Sequence, residues 1–465
     1  MTVSASRNPG TAGAKSVPDT VAQLRATFKS GRTRPIEWRL EQLDAIVRLL
    51  SEHEKDFIAA LAKDLGRPRV DAWLADLAPV VTEAKYAIKH LRSWMRPTKV
   101  KVPISIAPAK AWYQYEPLGV TLIVSPWNYP VHLALAPLVG AVAAGNCAVV
   151  KPAEQTPECS ALMAKLVPQY LDQQAVAVIE GAGDTTQELI DQGFDHCFFT
   201  GSPEIGKKVM AGAAKHLTPV TLELGGKSPV IVADDAKLSV AAKRIAFAKL
   251  LNSGQTCVAP DYVLVDRRVR DEFVNELNSA ISSFSESPSL PIINERHAGR
   301  VAALVDGAGG ETVRGGKVEA DAKRGELTVI VDPDADSDLM REEIFGPVLP
   351  LVSVDSMDDA IAHVQQGPKP LAVYLFSESR ENEQRVLDEI SNGGTVINQL
   401  VFHLLVPGLP FGGVGNSGTG AYHGKWGYET FSHRKAVLRK PTWPDPSLNY
   451  PPFNRVKEAI MRRVF

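Results

Sequence analysis

Hydrophobic positions follow two different periods along the chain. From Thr20 to about Arg96, apolar residues such as Leu40, Leu43 and Val47 recur at spacings of three and four between charged residues. This spacing predicts amphipathic helices. A proline-punctuated, β-prone stretch at 100–115 follows and predicts a protruding hairpin. Short apolar runs then alternate with amphipathic segments, which is typical of a parallel sheet with crossover helices.

The alternation occurs in two rounds, separated near Gly225. In the first round, strands are predicted at 120–124, 148–150, 176–179, 197–199 and 220–222, and helices at 133–144, 158–171, 185–192 and 204–215. In the second round, strands are predicted at 229–232, 262–265, 328–331, 349–352 and 371–376, and helices at 240–251, 269–284, 357–365 and 381–390. The glycine-rich segment 307–325 is expected to be an exposed connection.

Composition narrows the functional classes. The 465 residues are 45% hydrophobic, and 51 Lys and Arg nearly balance 53 Asp and Glu. Such a chain can bury a large core but has no global field for nucleic acid or an anionic membrane. Its four cysteines (Cys147, Cys159, Cys197 and Cys257) form no CxxC pair, so no disulfide scaffold or zinc site is expected, and a cytoplasmic location fits. The apolar run 131–150 is interrupted by His132 and Pro137, so we expect a buried helix and strand rather than a membrane span.

Two loops carry candidate chemistry after predicted strands. The segment from Phe199 to Gly206, FTGSPEIG, combines a glycine turn with a helix start and could bind a phosphate, although an ordinary strand–helix turn has the same pattern. The NSGQTC loop presents Cys257 among small polar residues. This setting leaves the thiol approachable, and the alternative is a buried, inert cysteine.

Two further candidates stand at predicted strand ends. Glu223 is followed by a flexible Gly-Gly pair and could face a cleft, and the alternative is a salt bridge to Lys227. Asn128 lies just beyond the strand at 120–124, where open α/β sheets bind ligands. Its amide could stabilise an oxyanion, and the alternative is an N-cap for the helix that starts near Leu133.

Seven ordered motifs resemble those of the aldehyde dehydrogenase superfamily. They are PWNYP (126–130), VVKPAE (149–154), FTGSPEIG (199–206), LELGGKSP (222–229), GQTC (254–257), EEIFGP (342–347) and PFGGVGNSG (410–418). GRTRP (31–35), CVAPDYVL (257–264), YHGKWGYETFSHRK (422–435) and YPP (450–452) are similar to its class 3 and fatty-aldehyde branch. The likeness runs from about Asp19 to Pro452.

The resemblance implies a role for each matching residue. Cys257 matches the nucleophile, Asn128 the oxyanion-binding amide and Glu223 the base that activates the hydrolytic water. Glu343 and Phe345 match the residues at the nicotinamide ribose and the nicotinamide. The adenosine ribose and pyrophosphate positions are matched by Lys151, Glu154, Gly201, Ser202 and Gly206. No metal is implied. The expected cofactor is NAD, with NADP as a second possibility, because Glu154 would repel a 2′-phosphate.

The resemblance also implies the organisation of the chain. We expect an α/β fold with two Rossmann-like parallel-sheet domains and a small β oligomerisation element in a homodimer. The expected parts are a flexible tail at 1–18, a NAD-binding domain at 19–99 and 116–224, the oligomerisation element at 100–115 with about 397–440, a catalytic domain at 225–396 and an extension at 441–465. The implied reaction is oxidation of a medium- or long-chain aliphatic or aromatic aldehyde to its acid.

Each of three rival functions can be distinguished from aldehyde oxidation by one feature. CoA-acylating relatives commonly lack the base at the Glu223 position. A thiol hydrolase or acyltransferase that uses Cys257 without NAD would produce no NADH. A catalytically silent relative would be marked by loss of Cys257 or Glu223, and both residues are present.

Overall fold

The computed structural model describes residues 15–284 and 290–464. Most of the predicted N-terminal tail therefore lies outside the described residues. Its last residues start a helix at Val17, where the Ser16 side chain accepts a hydrogen bond from the Asp19 amide (3.2 Å).

The helices and strands predicted between residues 120 and 390 all occur in the predicted order, together with further elements that the pattern did not predict. The helices are α1 Val17–Lys29, α2 Ile36–Glu52, α3 Glu54–Leu65, α4 Arg69–Ala72, α5 Ala78–Trp94, α6 His132–Ala144, α7 Pro157–Tyr170, α8 Gly183–Ile190, α9 Pro203–Ala214, α10 Leu238–Leu250, α11 Arg270–Ser283, α12 Glu295–Asp306, α13 Asp338–Arg341, α14 Met357–Gln366, α15 Arg380–Glu389, α16 Gly424–Thr430 and α17 Arg455–Val464. The strands are β1 Thr98–Val100, β2 Lys110–Pro117, β3 Val120–Val124, β4 Cys147–Lys151, β5 Val176–Val178, β6 His196–Gly201, β7 Val220–Leu224, β8 Pro229–Val232, β9 Tyr262–Asp266, β10 Glu311–Arg314, β11 Val318–Glu319, β12 Arg324–Gly325, β13 Thr328–Val331, β14 Val348–Val354, β15 Ala372–Phe376, β16 Gly394–Ile397, β17 Gly418–Thr419 and β18 Ser432–Arg439.

Two larger sheets form the α/β body, which confirms the predicted fold class. The first sheet has the order β17-β7-β6-β3-β4-β5, and the strands from β3 to β7 run parallel. The second sheet has the order β10-β13-β14-β9-β8-β15-β16 and is parallel from β13 to β16. The chain passes from one sheet to the other between Leu224 and Pro229, next to the predicted boundary near Gly225.

A third, antiparallel sheet has the order β1-β2-β18. The predicted hairpin at 100–115 is only partly correct, because β1 ends at Val100 and β2 extends to Pro117. Of the range 397–440 that was expected to join it, β18 pairs with β2, whereas β17 joins the first sheet next to β7. The domain limits themselves stay a prediction.

The segment 307–325, which was expected to be an exposed connection, is mostly exposed and also contains three short strands. Strand β10 pairs antiparallel with β13, and β11 and β12 form a small hairpin. Their side chains are mostly exposed, so they lack the apolar run by which a buried strand is recognised in a sequence.

The apolar run 131–150 is buried inside the first α/β unit. Helix α6 spans 13 residues, its side chains are almost all buried, and β4 follows it directly. No helix in the described ranges is long and apolar enough to cross a membrane. The run is hydrophobic on all sides because it packs on all sides.

Candidate functional site

A cavity of about 760 Å³ lies where the two larger sheets meet. Seven of the ten sequence-predicted site residues line it, namely Asn128, Gly201, Ser202, Glu223, Cys257, Glu343 and Phe345. The parallel register explains the convergence on the side of the first sheet. Gly201 at the end of β6 lies opposite Leu224 of β7, and Thr200 lies opposite Glu223, so the loops that follow these strands leave the sheet at the same edge.

Cys257 lies on a tightly turned loop between α10 and β9. Asn252, Ser253 and Gly254 all have positive φ angles (51°, 53° and 73°). A Cβ atom at Gly254 would lie 2.2 Å from the carbonyl oxygen of Gly346, so only glycine fits there. Among the cysteines, Cys257 is partly exposed, whereas Cys147, Cys159 and Cys197 are buried. The geometry agrees with the approachable thiol rather than the inert one.

Asn128 is held by the same loop. Its side-chain Nδ2 donates to the Gln255 carbonyl (3.1 Å), which leaves the second amide hydrogen free for a ligand. The Asn252 side chain donates back to the Asn128 carbonyl (3.1 Å). The alternative of a helix N-cap is wrong, because α6 starts after Val131 and has no side-chain cap.

Glu223, the residue before the end of β7, is a buried carboxyl group. It is 3% exposed, and neither carboxylate oxygen has a hydrogen-bond partner in the protein. Burial raises its pKa well above the ordinary value. The alternative of a Glu223–Lys227 salt bridge is wrong, since Lys227 pairs with Asp261.

Glu343 is the second buried carboxyl group of the cavity. Its Oε1 atom also has no partner, and a Cβ atom at Gly225 would lie 2.0 Å from its Oε2 atom. Burial, followed by the charge of Asp261, raises the pKa of Glu343 to about 8. Glycine at position 225 is therefore needed so that this carboxyl group can approach the backbone.

The two carboxyl groups also act on the thiol. Burial raises the pKa of Cys257 to about 12, and the charges of Glu343 and Glu223 add to the increase. The thiol is therefore protonated at neutral pH in this form of the protein, and a neighbouring base is needed to ionise it.

The turn between β6 and α9 faces the cavity with its backbone. The Ser202 side chain accepts a hydrogen bond from the Ile205 amide (3.4 Å), and Pro203 starts the helix. Gly201 leaves no room for a side chain, since a Cβ atom there would lie 2.6 Å from the Phe199 ring. The positive end of this twelve-residue helix fits a phosphate. Gly206 faces Leu224 instead of the cavity, so its contact is one of packing.

Lys151 and Glu154 lie outside the residues that line the cavity. Lys151 is the last residue of β4, level with Val124 of β3, and its ammonium group donates to Glu154 (2.8 Å). The lysine is buried and the glutamate half-exposed. The pair therefore lies at the same carboxyl edge of the sheet, one strand away from Asn128.

Lys227, Asp261 and Arg300 hold the backbone around Glu343, here called the Glu343 loop. Their positions in the sequence did not predict this function. The Lys227 ammonium donates to the carbonyls of Leu339 and Glu342 (both 2.8 Å) and pairs with Asp261. Asp261 accepts from the Ile344 amide (2.9 Å). Arg300 donates to the Glu343 carbonyl (3.1 Å) and to that of Ile344. Lys227 and Asp261 stand inside quoted motifs, but only folding shows that they meet.

The cavity has the features that a dinucleotide requires. One continuous space is lined by the start of α9, where a phosphate fits, by Glu343 with an unpartnered oxygen, and by the Phe345 ring. The Phe345 ring meets the Trp127 ring edge-to-face at 5.5 Å. Among the described residues, no group of three or more His, Cys, Asp or Glu side chains could hold a metal ion.

Comparison with known proteins gives one consistent result. The family model described as the aldehyde dehydrogenase family matches residues 5–437. The chain is 44% identical over 431 residues to the dimeric NADP-preferring aldehyde dehydrogenase of Rattus norvegicus, covering 91% of this chain and 95% of the rat protein. It is 42% identical over 435 residues to the 4,4′-diaponeurosporen-aldehyde dehydrogenase of Staphylococcus aureus, covering 92% and 95%.

The solved structures agree with the sequence relatives. The substrate-bound state of Staphylococcus aureus AldH superimposes with a TM-score of 0.93 at 40% identity, covering 97% of this chain and 100% of the other. Rat aldehyde dehydrogenase family 3 member A2 is a further relative, at 43% identity over 94% of this chain and 92% of its own. The chain therefore belongs to the aldehyde dehydrogenase family, enzymes that oxidise aldehydes with NAD or NADP, and its relatives include named members of family 3.

Proposed function

We propose that this enzyme oxidises an aldehyde to the carboxylic acid through a covalent intermediate on Cys257. The observation that carries the proposal is that Cys257, Glu223, Asn128 and Glu343 line one cavity although they come from four separate segments. A medium- or long-chain aliphatic or aromatic aldehyde is the proposed substrate class, in a homodimeric, cytoplasmic enzyme.

In the first half-reaction, a neighbouring carboxylate, Glu343 or Glu223, takes the proton of the Cys257 thiol and releases it to solvent. The thiolate forms a bond to the carbonyl carbon, and the carbonyl π electrons move to the oxygen. The free Nδ2 hydrogen of Asn128 and the backbone N–H of Cys257 are the donors proposed to hold this oxyanion. Collapse of the tetrahedral adduct re-forms the carbonyl group, expels a hydride and leaves a thioester on Cys257. When bound, the dinucleotide supplies the nicotinamide that accepts this hydride.

In the second half-reaction, Glu223 takes a proton from the water that attacks the thioester carbonyl. The C–S bond breaks, the thiolate is regenerated and the acid leaves. Glu223 suits this role because its two unpartnered oxygens face the cavity and its raised pKa makes it a stronger base than an exposed carboxylate.

Cofactor contacts are proposed for the remaining residues. Glu343 and Phe345 would hold the nicotinamide half, Gly201, Ser202 and Gly206 the pyrophosphate turn, and Lys151 with Glu154 the adenosine ribose. A charged Glu154 favours NAD over NADP. Rat and dog relatives are named NADP-preferring, so we propose that both cofactors are accepted and that the preference is modest.

Two substitutions separate the half-reactions. Cys257→Ala should abolish NADH formation, whereas Cys159→Ala, which removes a fully buried thiol on α7, is the matched control and should retain it. Glu223→Gln should lower steady-state turnover about 10²–10⁴-fold. It should retain an initial burst approaching one NADH per active site, with an acyl adduct on Cys257 in the mass spectrum. Near-normal turnover in Glu223→Gln contradicts the assignment, and Glu343 becomes the next base to test.

A further inference from the structure

A buried ion pair lies beneath the loop that carries Asn128. Arg67, between α3 and α4, pairs with Asp76, which belongs to a π-helical turn at Trp73–Leu77. Their side chains are 1% and 0% exposed, and neither residue lines the cavity. Burying two charges costs desolvation that their attraction often only offsets, so such a pair is a weak source of stability. π-Helical turns are frequent at functional sites.

Each member of the pair holds the backbone of the Asn128 loop. The Arg67 guanidinium donates a hydrogen bond to the carbonyl oxygen of Asn128 and lies 4.4 Å from the centre of the Tyr129 ring. Asp76 accepts hydrogen bonds from the amides of Val131 (3.0 Å) and His132 (3.1 Å). The loop from Asn128 to His132 is therefore fixed at both ends by one ion pair.

The same contacts extend to the nucleophile loop. The Tyr129 hydroxyl lies 2.6 Å from the Thr256 Oγ1 atom, next to Cys257, and the Asn128 amide donates to Gln255. The direction of the free Asn128 hydrogen depends on where the backbone of residue 128 lies. A displacement of about 1 Å in a catalytic group can cost about 10²-fold in rate.

We propose that Arg67 and Asp76 are positioning residues that aim the Asn128 amide at the oxyanion of the thiol adduct. This inference rests on the proposed function of Asn128. It assigns the pair to the steps in which the carbonyl oxygen becomes an oxyanion, because the contacts lead to Asn128, Tyr129 and Thr256 and not to Glu223.

Arg67→Lys tests the inference while the buried charge is preserved. A single ammonium group can neutralise Asp76 but lacks the planar fork that also reaches the Asn128 carbonyl. With benzaldehyde limiting and NAD⁺ saturating, single-turnover NADH formation should slow about tenfold. The KM for NAD⁺ should not change. Arg39→Lys is the matched control, since Arg39 is buried, donates to the Ala143 carbonyl (3.1 Å) and should leave the rate unchanged.

The double variant Arg67→Lys/Asn128→Ala distinguishes this inference from the proposed function. Asn128→Ala alone should slow single turnover about 10²–10³-fold. If Arg67 acts through Asn128, the double variant is no slower than Asn128→Ala. Multiplicative slowing, or an unchanged rate in folded Arg67→Lys, overturns the inference. A normal rate in Asn128→Ala contradicts the proposed function instead. If Arg67→Lys does not fold, Arg67→Gln/Asp76→Asn replaces both charges by amides, and a normal rate there also overturns the inference.

Discussion

Lys151 donates a hydrogen bond of 2.8 Å to Glu154, three residues further along the chain. Burial is the largest single influence on the pKa of Glu154 and acts to raise it. The hydrogen bonds from Lys151, from the backbone and from Gln155, together with the charge of Lys151, outweigh burial, and the net pKa is lowered. The carboxylate is therefore charged across the physiological range. A charged carboxylate accepts hydrogen bonds from ribose hydroxyls and repels a 2′-phosphate.

Removing this charge should change the cofactor preference. We expect Glu154→Gln to shift the ratio of kcat/KM for NAD⁺ over NADP⁺ toward NADP⁺ about tenfold, with kcat for NAD⁺ nearly unchanged. Glu158→Gln, which removes a half-exposed charge at the start of α7 that pairs with Lys63, is the control for a general electrostatic effect. A wild-type enzyme with at least equal kcat/KM for NADP⁺ contradicts the preference for NAD.

Breaking the Lys227–Asp261 pair should weaken cofactor binding without a change at Cys257. Lys227→Met removes the donor to the carbonyls of Leu339 and Glu342, so the Glu343 loop loses its attachment to the loop after β7. We expect the KM for NAD⁺ to rise about tenfold or more and the KM for the aldehyde to change less. Lys237→Met breaks an exposed pair with Glu378 and should leave both constants unchanged. An unchanged KM for NAD⁺ in Lys227→Met would show that the clamp does not set cofactor binding.

The buried carboxyl group of Glu223 predicts a rising pH profile. A general base acts only when deprotonated, and burial raises the pKa of Glu223, so the active fraction grows with each unit of pH below that pKa. We expect the kcat of the wild type to increase with pH until the raised pKa of Glu223 is passed. The residual kcat of Glu223→Gln should lose this increase if hydrolysis of the thioester limits turnover. The same slope in both proteins would assign the titration to another group.

Glu83 predicts a pH-dependent stability away from the cavity. This buried α5 residue accepts a hydrogen bond from the Gly424 amide, and burial raises its pKa from 4.5 to about 7. The folded protein thus binds its proton more tightly than the unfolded chain. Raising the pH from about 4.5 to 7 therefore removes stability, up to about 3 kcal/mol from this group.

Glu83→Gln avoids this loss because an amide keeps the acceptor without titrating. Its Tm should match the wild type at pH 5 and exceed it at pH 8, measured by thermal unfolding. The exposed substitution Glu188→Gln on α8 should give no such divergence. Parallel Tm curves for Glu83→Gln and the wild type from pH 5 to 8 would contradict the raised pKa.

The exposed edge of strand β18 predicts that the protein forms a dimer. It is the edge of the third sheet, paired with β2 on one side only, and most of its side chains are exposed, Leu438 among them. An unpaired edge of eight residues is usually covered, and a second copy of the chain is the proposed cover. Light scattering at micromolar concentration should give the mass of a dimer, and Val437→Pro should lower it toward a monomer. A monomeric wild type would contradict the proposal.

The hydrophobic pattern located the buried parallel strands of both larger sheets, β3 to β9 and β13 to β15, but not the half-buried strand β16. Buried parallel strands are continuous apolar runs, so β3, β8 and β13 have the predicted limits to the residue. The segment containing β10, β11 and β12 was missed because exposed edge strands and small hairpins carry no such run. Helix α12 was also missed, although its apolar positions are periodic, since it follows an irregular segment with no strand before it.

The candidate residues could be found because their chemistry demands particular residue types in short motifs. A thiol in a small-residue loop, a carboxylate after a strand and a glycine turn before a helix are each visible locally. The short motifs could not, however, decide between the functional and the structural role of each residue. Whether Lys227 meets Glu223 or Asp261, and whether Asn128 caps a helix or faces a cavity, depends on residues that are distant in the sequence.

The sequence by itself thus determined the α/β class, the order of the buried strands along the chain and the residue types at the cavity, because apolar periodicity and motif chemistry are local properties. Tertiary structure alone decided the partners and the protonation. Arg67 reaches Asn128 across 61 positions, and Lys227 reaches Glu342 across 115. The raised pKa values of Glu223 and Cys257 come from burial, which depends on every element packed around the cavity.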